Sequence, residues 1–336
     1  MNPVVLVLSL VLSEPVLPAL IVFAVVVIAT RAWKPAPASP SPRARAVQRL
    51  LRIGALLVLL VDVGVRAAPL VVARLPFDGD LLTPGGYAWW QFPLPLAAAV
   101  VILVVALVRS RAEPARVETP VVPLTRRNWL TFSRQRDVVI AASTGGALLL
   151  LSVLSGLASA TDRNGLHTII VMRGGDFAVP DDIDTSIAAN GPWSSFYGWA
   201  YGVPVMVLAV ILALVLWLAL RTDAARPFVR PEDVAADTAD RAAAAIGAWR
   251  LAAAALGLTF GAALAFVAYA GLSSTGVGVP GLGTATWSLG YSSFAPAMLG
   301  LSVLVRIAAT VSLLLLVRGA RTRPARVSAS AVAVQP

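Results

Sequence analysis

Cysteine is absent from the chain. This rules out disulfides, a thiolate nucleophile, a Cys-ligated metal and thioether-linked haem. There is one histidine, His167, so no metal or haem site can be built from several imidazoles within this chain. HExxH and nucleophile-elbow motifs are missing, and with them the commonest sequence signs of a catalytic centre. The glycine pairs Gly145-Gly146 and Gly174-Gly175 stand alone. Neither follows a strand and opens a soluble helix, as a phosphate cradle requires. No cofactor is expected. Charge is scarce too: 13% of the 336 residues are charged, against about a quarter in a soluble domain.

What fills the chain instead is apolar. Hydrophobic residues make up 58% of it and the mean hydropathy is +0.81. Several uncharged, mostly apolar runs exceed 18 residues. A bilayer core about 30 Å thick needs about 20 helical residues to cross it. No polar block is long enough for a separate soluble domain. We therefore expect an all-α, polytopic integral membrane protein with seven transmembrane helices. These form one leading helix plus three hairpins, over about 5–30, 53–73, 92–108, 138–160, 196–220, 251–271 and 295–317. Residues 1–320 form the single transmembrane domain, and 321–336 a disordered cytoplasmic tail.

The net charge is +10, carried by 26 Arg and a single Lys. In a soluble protein that would point to nucleic acid; here the arginines read as topology signals, and no nucleic-acid partner is expected. With seven spans, 22 of the 27 basic residues fall in segments on one side, and only Arg74, Arg163 and Arg173 fall in loops on the other. The positive-inside rule then puts the N-terminus outside and the C-terminus inside. The first span begins almost at the first residue, with its positive charges after it, opposite to a secretory signal. The expected location is the plasma membrane, and the arginine, alanine and valine bias suggests a bacterial cytoplasmic membrane.

The clearest statement of the pattern is Phe196–Arg221: an aromatic cluster, Pro204, a long apolar run and a closing Arg. Tyr87–Arg109 and Trp287–Arg318 repeat it more loosely. The likeness fits either a duplicated hairpin or what any outside-to-inside helix needs. Tyr87, Trp89, Trp90, Phe92, Phe196, Tyr197, Trp199, Tyr201, Trp287, Tyr291 and Phe294 are expected at the outer headgroup level. Pro93, Pro204 and Pro296 sit near helix starts, where a missing N–H costs little. Ala32–Arg45 reads as an extended linker, and Leu272–Phe294 as a Gly/Ser/Thr loop. His167–Met172 reads as a short strand or a surface patch, with His167 an ordinary loop histidine. One helix is expected from Pro231 through Gly271, with Asp237 and Arg241 paired at four-residue spacing.

Four charges fall inside the spans: Glu14, Asp62, Arg66 and Arg306. An intramembrane charge costs at least about 2.5 kcal/mol and usually faces the bundle interior. Asp62 and Arg66 are four apart and can pair, so Arg306 needs a partner from another helix, Asp62 or Glu14. The group is either a polar binding site or a structural ion pair that fixes helix register. Ala253, Gly257, Gly261 and Ala265 form a stripe of small residues for close helix packing, and Ser152 and Gly156 can act likewise. The acidic run Pro180–Asp184 offers carboxylates but lacks the Gly and Glu of an EF-hand, so no metal site is expected. The only lysine, Lys34, lies in a linker, which excludes a retinal Schiff base. Three functions fit what remains, in this order: a non-catalytic membrane subunit or scaffold working with partner proteins through its inside face; a small-molecule or ion permease with a midplane site around Asp62 and Arg306; an intramembrane lipid-modifying enzyme.

Overall fold

A computed structural model describes residues 16–31, 41–72, 88–112, 127–172, 192–228, 234–279 and 283–318. Among these residues lie seven α-helices: α1 (Val16–Arg31), α2 (Pro42–Val72), α3 (Leu94–Ala112), α4 (Gln135–Ala158), α5 (Trp199–Ala225), α6 (Val234–Leu272) and α7 (Ala295–Arg318). Each falls on one of the seven expected stretches. Four of them, α4 to α7, are long and apolar enough to cross a membrane, and Leu94–Ser110 of α3 is a shorter apolar helix. The protein is mostly helical and membrane-spanning. The connection over 73–87, the segment before Arg127, the acidic run at Pro180–Asp184, Pro231 and the tail from 319 lie outside the described residues.

Two ends differ from expectation for local reasons. The linker Ala32–Arg45 was expected to be extended to its end, yet α2 starts at Pro42. The Ser41 side-chain oxygen accepts from the Ala44 amide at 3.2 Å, and Pro42 follows at the first helical position, where its fixed φ suits the helix. Arg43 and Arg45 are thus helical. Pro204 is the sixth residue of α5, so it lies past the first turn and removes the N–H that would reach the Ala200 carbonyl.

The connections hold two small antiparallel sheets. β1 (Ala160–Thr161), β2 (His167–Val171) and β3 (Trp193–Ser195) join α4 to α5, with Ile169 opposite Ser195. The strand reading of 167–172 is correct. β4 (Thr275–Val279) and β5 (Gly283–Trp287) form a hairpin between α6 and α7, with Val277 opposite Ala285. That hairpin corrects the loop reading of Leu272–Phe294. Its Thr-Gly-Val-Gly-Val and Gly-Thr-Ala-Thr-Trp alternate β-branched with small residues, a period-two pattern that the glycine content obscures.

Helix α6 is the centre. It packs on α2, α3, α4, α5 and α7, while α1 lies on α7. Of its most apolar eighteen-residue stretch 83% is buried, against 28% for α5. The helix with the clearest membrane signature, α5, is therefore peripheral. Small residues explain the exchange. A side chain at Gly257 would meet the Ala309 Cβ at 3.2 Å, and one at Gly261 would stand 3.0 Å from the Ser302 carbonyl and collide with the Arg306 side chain. Gly156 sits under the Trp199 ring and Gly202 against Ser152, so α4 and α5 close in the same way.

The helix ends sort into two groups. At one end Ser41 N donates to Asp240 Oδ2 (3.1 Å), Arg43 Nη2 to the Ser110 carbonyl (3.0 Å), and Trp249 Nε1 to Ser133 Oγ (2.9 Å). Gly247 faces Leu51 and Leu316 there. This end gathers the starts of α2, α4 and α6 and the ends of α3, α5 and α7. At the other end Phe92 stacks on Phe266, Tyr201 meets both edge-on, and Tyr291 Oη donates to the Val267 carbonyl at 2.9 Å. Consecutive helices from α3 to α7 run antiparallel.

Candidate functional site

Asp62 and Arg66 form the expected ion pair, one turn apart on α2. Both side chains are largely buried, the carboxylate at 8% and the guanidinium at 12% exposure. Arg306 is buried on α7, with its aliphatic stem across Gly261. The sequence left Asp62 as a possible partner for Arg306; the described ion pairs give Asp62 to Arg66 instead. Glu14, the other candidate, lies outside the described residues. A carboxylate neutralised within its own helix lowers the cost of insertion and does not by itself bind α2 to a neighbour. Of the small-residue stripe, Gly257 and Gly261 carry the contact with α7, Ala265 is buried and Ala253 is half-buried. It serves packing within one chain.

The densest polar arrangement lies at the arginine-rich end. Arg241 on α6 is 2% exposed. Its Nε and Nη2 donate to Asp237 Oδ2 at 3.0 and 2.5 Å, its Nη1 to the carbonyls of Asp223 and Arg226 at 2.9 and 2.8 Å, and its Nη2 to the Pro227 carbonyl at 3.1 Å. All five guanidinium donors are used. The carbonyls belong to the end of α5 and the turn after it, where unpaired acceptors and the negative pole of the dipole favour a cation. The guanidinium also lies 4.8 Å from the Phe228 ring centre and 5.6 Å from that of Phe132, and Arg127 covers Phe228 at 3.8 Å. Asp237 takes a further bond from Arg226 Nη2 at 3.1 Å. The Asp237–Arg241 pair was legible from spacing; the carbonyl cage was not, because it depends on the path of the chain after α5.

At the opposite end, four of the rings expected at the headgroup level are inside the bundle. Phe92, Tyr197 and Tyr201 are each at most 5% exposed. Phe92 meets Tyr197 and Tyr201 edge-on at 5.1 and 5.4 Å and stacks on Phe266 at 5.7 Å. The Tyr197 and Ser152 hydroxyls share a bond of 3.4 Å, and Thr259 Oγ1 donates to the Phe92 carbonyl at 3.4 Å. These rings pack on one another, and the Tyr197 hydroxyl is met by Ser152 inside the bundle. Phe196 is buried as well, whereas Trp89 (57%) and Phe294 (68%) are exposed as expected.

No protein family, no curated protein and no solved structure matches this chain.

Beside the three-stranded sheet, Asp162 closes a tight turn. Its carboxylate accepts from the Asn164 and Leu166 amides (2.8 and 2.9 Å) and from Thr168 Oγ1 (2.7 Å). Desolvation pushes this carboxyl upward, but the Thr168 hydroxyl and the two amides outweigh it and hold it below its ordinary range. His167 Nδ1 lies 3.2 Å from Ser159 Oγ, tying the strand to the end of α4. Among the described residues no three of His, Asp and Glu stand together as a metal site.

Proposed function

We propose that the chain crosses the plasma membrane seven times, N-terminus outside and C-terminus inside, and serves as a non-catalytic membrane subunit or scaffold for partner proteins. One observation carries the reading: several buried polar groups join separate elements of the bundle. Arg241 ties α6 to the end of α5, Tyr197 just before α5 meets Ser152 of α4, and Thr259 of α6 holds the Phe92 carbonyl just before α3. An interior committed to its own cohesion suits a part whose task is done at its surface. The gathering of arginine-rich helix ends at one end of the bundle supports the orientation.

The orientation has a direct test, because the chain has no cysteine. Single cysteines are placed at Pro120 and Pro180, and intact cells are treated with an impermeant maleimide. Labelling at 180 and protection at 120 is the expected result; the reverse overturns the topology. The scaffold role is tested by cross-linking in native membranes followed by purification and mass determination. A defined complex is expected, and isolation as a lone monomer refutes the role.

A permease built around Asp62 and Arg306 is the second reading. It is favoured by the presence of three buried charges on otherwise apolar helices. It requires a water-filled cavity common to Asp62 and Arg306, and the Asp62 carboxylate is already neutralised by Arg66. An intramembrane lipid-modifying enzyme ranks third, with no observation in its favour.

A further inference from the structure

A cleft of about 350 Å³ opens at the arginine-rich end between α2 and α3, lined by Ala46, Arg49, Leu50, Ile53 and Arg109. Its walls are two exposed arginines, one from each helix, and its floor is apolar. The helices meet closely beside it because Gly54 admits the Ile102 side chain. The cleft does not end at the arginines. From Arg49 the exposed face of α2 continues one turn at a time through Ile53 (49%) and Leu57 (38%) to Leu60 (70%). Beside it, α3 presents exposed Val108 and Val101. Two cations therefore head an apolar furrow that runs along the helices.

We propose that this cleft binds one anionic phospholipid, with its headgroup phosphate between Arg49 and Arg109 and an acyl chain along Ile53 and Leu57. The argument is charge and shape together. Guanidinium groups pair with phosphate oxygens through two parallel N–H bonds. Basic pockets between membrane helices on the cytoplasmic side suit such headgroups. A soluble anion would use the arginines and leave the furrow unused; a lipid uses both. The proposal rests on the seven-span orientation above, which brings this cleft to the inner leaflet.

The test uses the full-length protein, purified in detergent and examined by native mass spectrometry with added phosphatidylglycerol or phosphatidylcholine. Phosphatidylglycerol is expected to be retained in preference, as a single adduct. Each arginine at a membrane surface is worth about fivefold in binding, so the double variant R49Q/R109Q should lose about 25-fold in apparent affinity for phosphatidylglycerol and little for phosphatidylcholine. R49K/R109K, which keeps the charge but loses the planar fork, should fall between the wild type and R49Q/R109Q, and unchanged phosphatidylcholine retention by R49Q/R109Q shows that this variant is folded. Equal retention of the two lipids, an unchanged R49Q/R109Q, or an equal loss in R45Q/R52Q would overturn the site. Displacement of the lipid by millimolar inorganic phosphate would also overturn it, since it would leave the furrow no part in binding. The cysteine-labelling result is independent of these readings: a reversed orientation with selective retention refutes the topology, and a correct orientation without it refutes the lipid site alone.

Discussion

Replacing Arg241 tests whether the arginine-rich end is held by one guanidinium fork. In Arg241→Met the chain keeps a side chain of similar length but loses five hydrogen bonds, three of them to backbone carbonyls at the end of α5 and the turn after it. Asp237 is left with Arg226 alone. Asp237, the charge left behind, is 25% exposed and keeps Arg226, so the loss comes chiefly from the three carbonyl bonds, which at about 1–1.5 kcal/mol each amount to about 3–5 kcal/mol. At this chain length 1 kcal/mol corresponds to about 2 °C in melting temperature, so R241M should melt about 6–10 °C lower in detergent. Arg241→Lys separates charge from geometry. An ammonium keeps the charge but brings three donors without the planar fork, so R241K should fall between the two. Scanning calorimetry or dye-monitored melting of the purified protein gives both values. If R241K melts with the wild type, the fork geometry is irrelevant; if R241M does too, the cage contributes nothing to stability.

The remaining predictions concern glycine and pH. Gly261→Val places a carbon bearing two methyls where Arg306 and the Ser302 carbonyl already stand, and overpacking of this kind costs about 1–3 kcal/mol or more; Gly146→Ala and Gly300→Ala meet nothing within 4 Å and should stabilise by about 0.5–1 kcal/mol through helix propensity. Melting temperatures read the contrast, and a harmless G261V would refute the close α6–α7 contact. The Asp162 turn should weaken in acid. Its folded pKa is lowered from 3.8, so its contribution is full above 3.8 and is lost as pH falls through the folded value. Hydrogen exchange at the Asn164 and Leu166 amides should quicken over that window, and Asp162→Asn should remove the pH dependence.

The parts of this protein that sequence revealed are those decided locally. Helix α7 was expected over 295–317 and runs Ala295–Arg318; α6 was expected to 271 and runs to Leu272. Apolar length and flanking charge fix such limits, and both can be read along the chain. The pairs Asp62–Arg66 and Asp237–Arg241 were legible for the same reason, being one helical turn apart. What was missed depends on rotation about a helix axis or on chain paths far apart in sequence. Tyr197, just before α5, and Tyr201, in its first turn, stand at the level expected of them, but they turn inward onto Phe92 and Phe266, more than 60 residues from either tyrosine, and no local signal gives that angle. The α2 start at Ser41-Pro42 did carry a signal, a capping serine before a proline; it was masked by the prolines of the preceding linker.

The exchange of roles between α5 and α6 follows from the solvent. In water the most apolar helix goes to the centre, because burial removes apolar surface from water. In lipid that difference vanishes, since acyl chains are as apolar as leucine, and close contact decides instead. Alanine and glycine then win the centre because they let five neighbours approach α6, and leucine and valine go to the outside of α5. The argument inverts the usual expectation for mutations. Ala255→Leu on α6, at a fully buried alanine, should cost about 1–3 kcal/mol through overpacking. Leu214→Ala on α5, at a leucine 52% exposed, exchanges contact with lipid for contact with lipid and should change the melting temperature by less than about 1 °C, within the small range of surface substitutions. A soluble-protein ledger would charge the leucine deletion more than the alanine enlargement. If L214A proves the more damaging of the two, α5 packs against protein on that face, and the central place given to α6 is wrong.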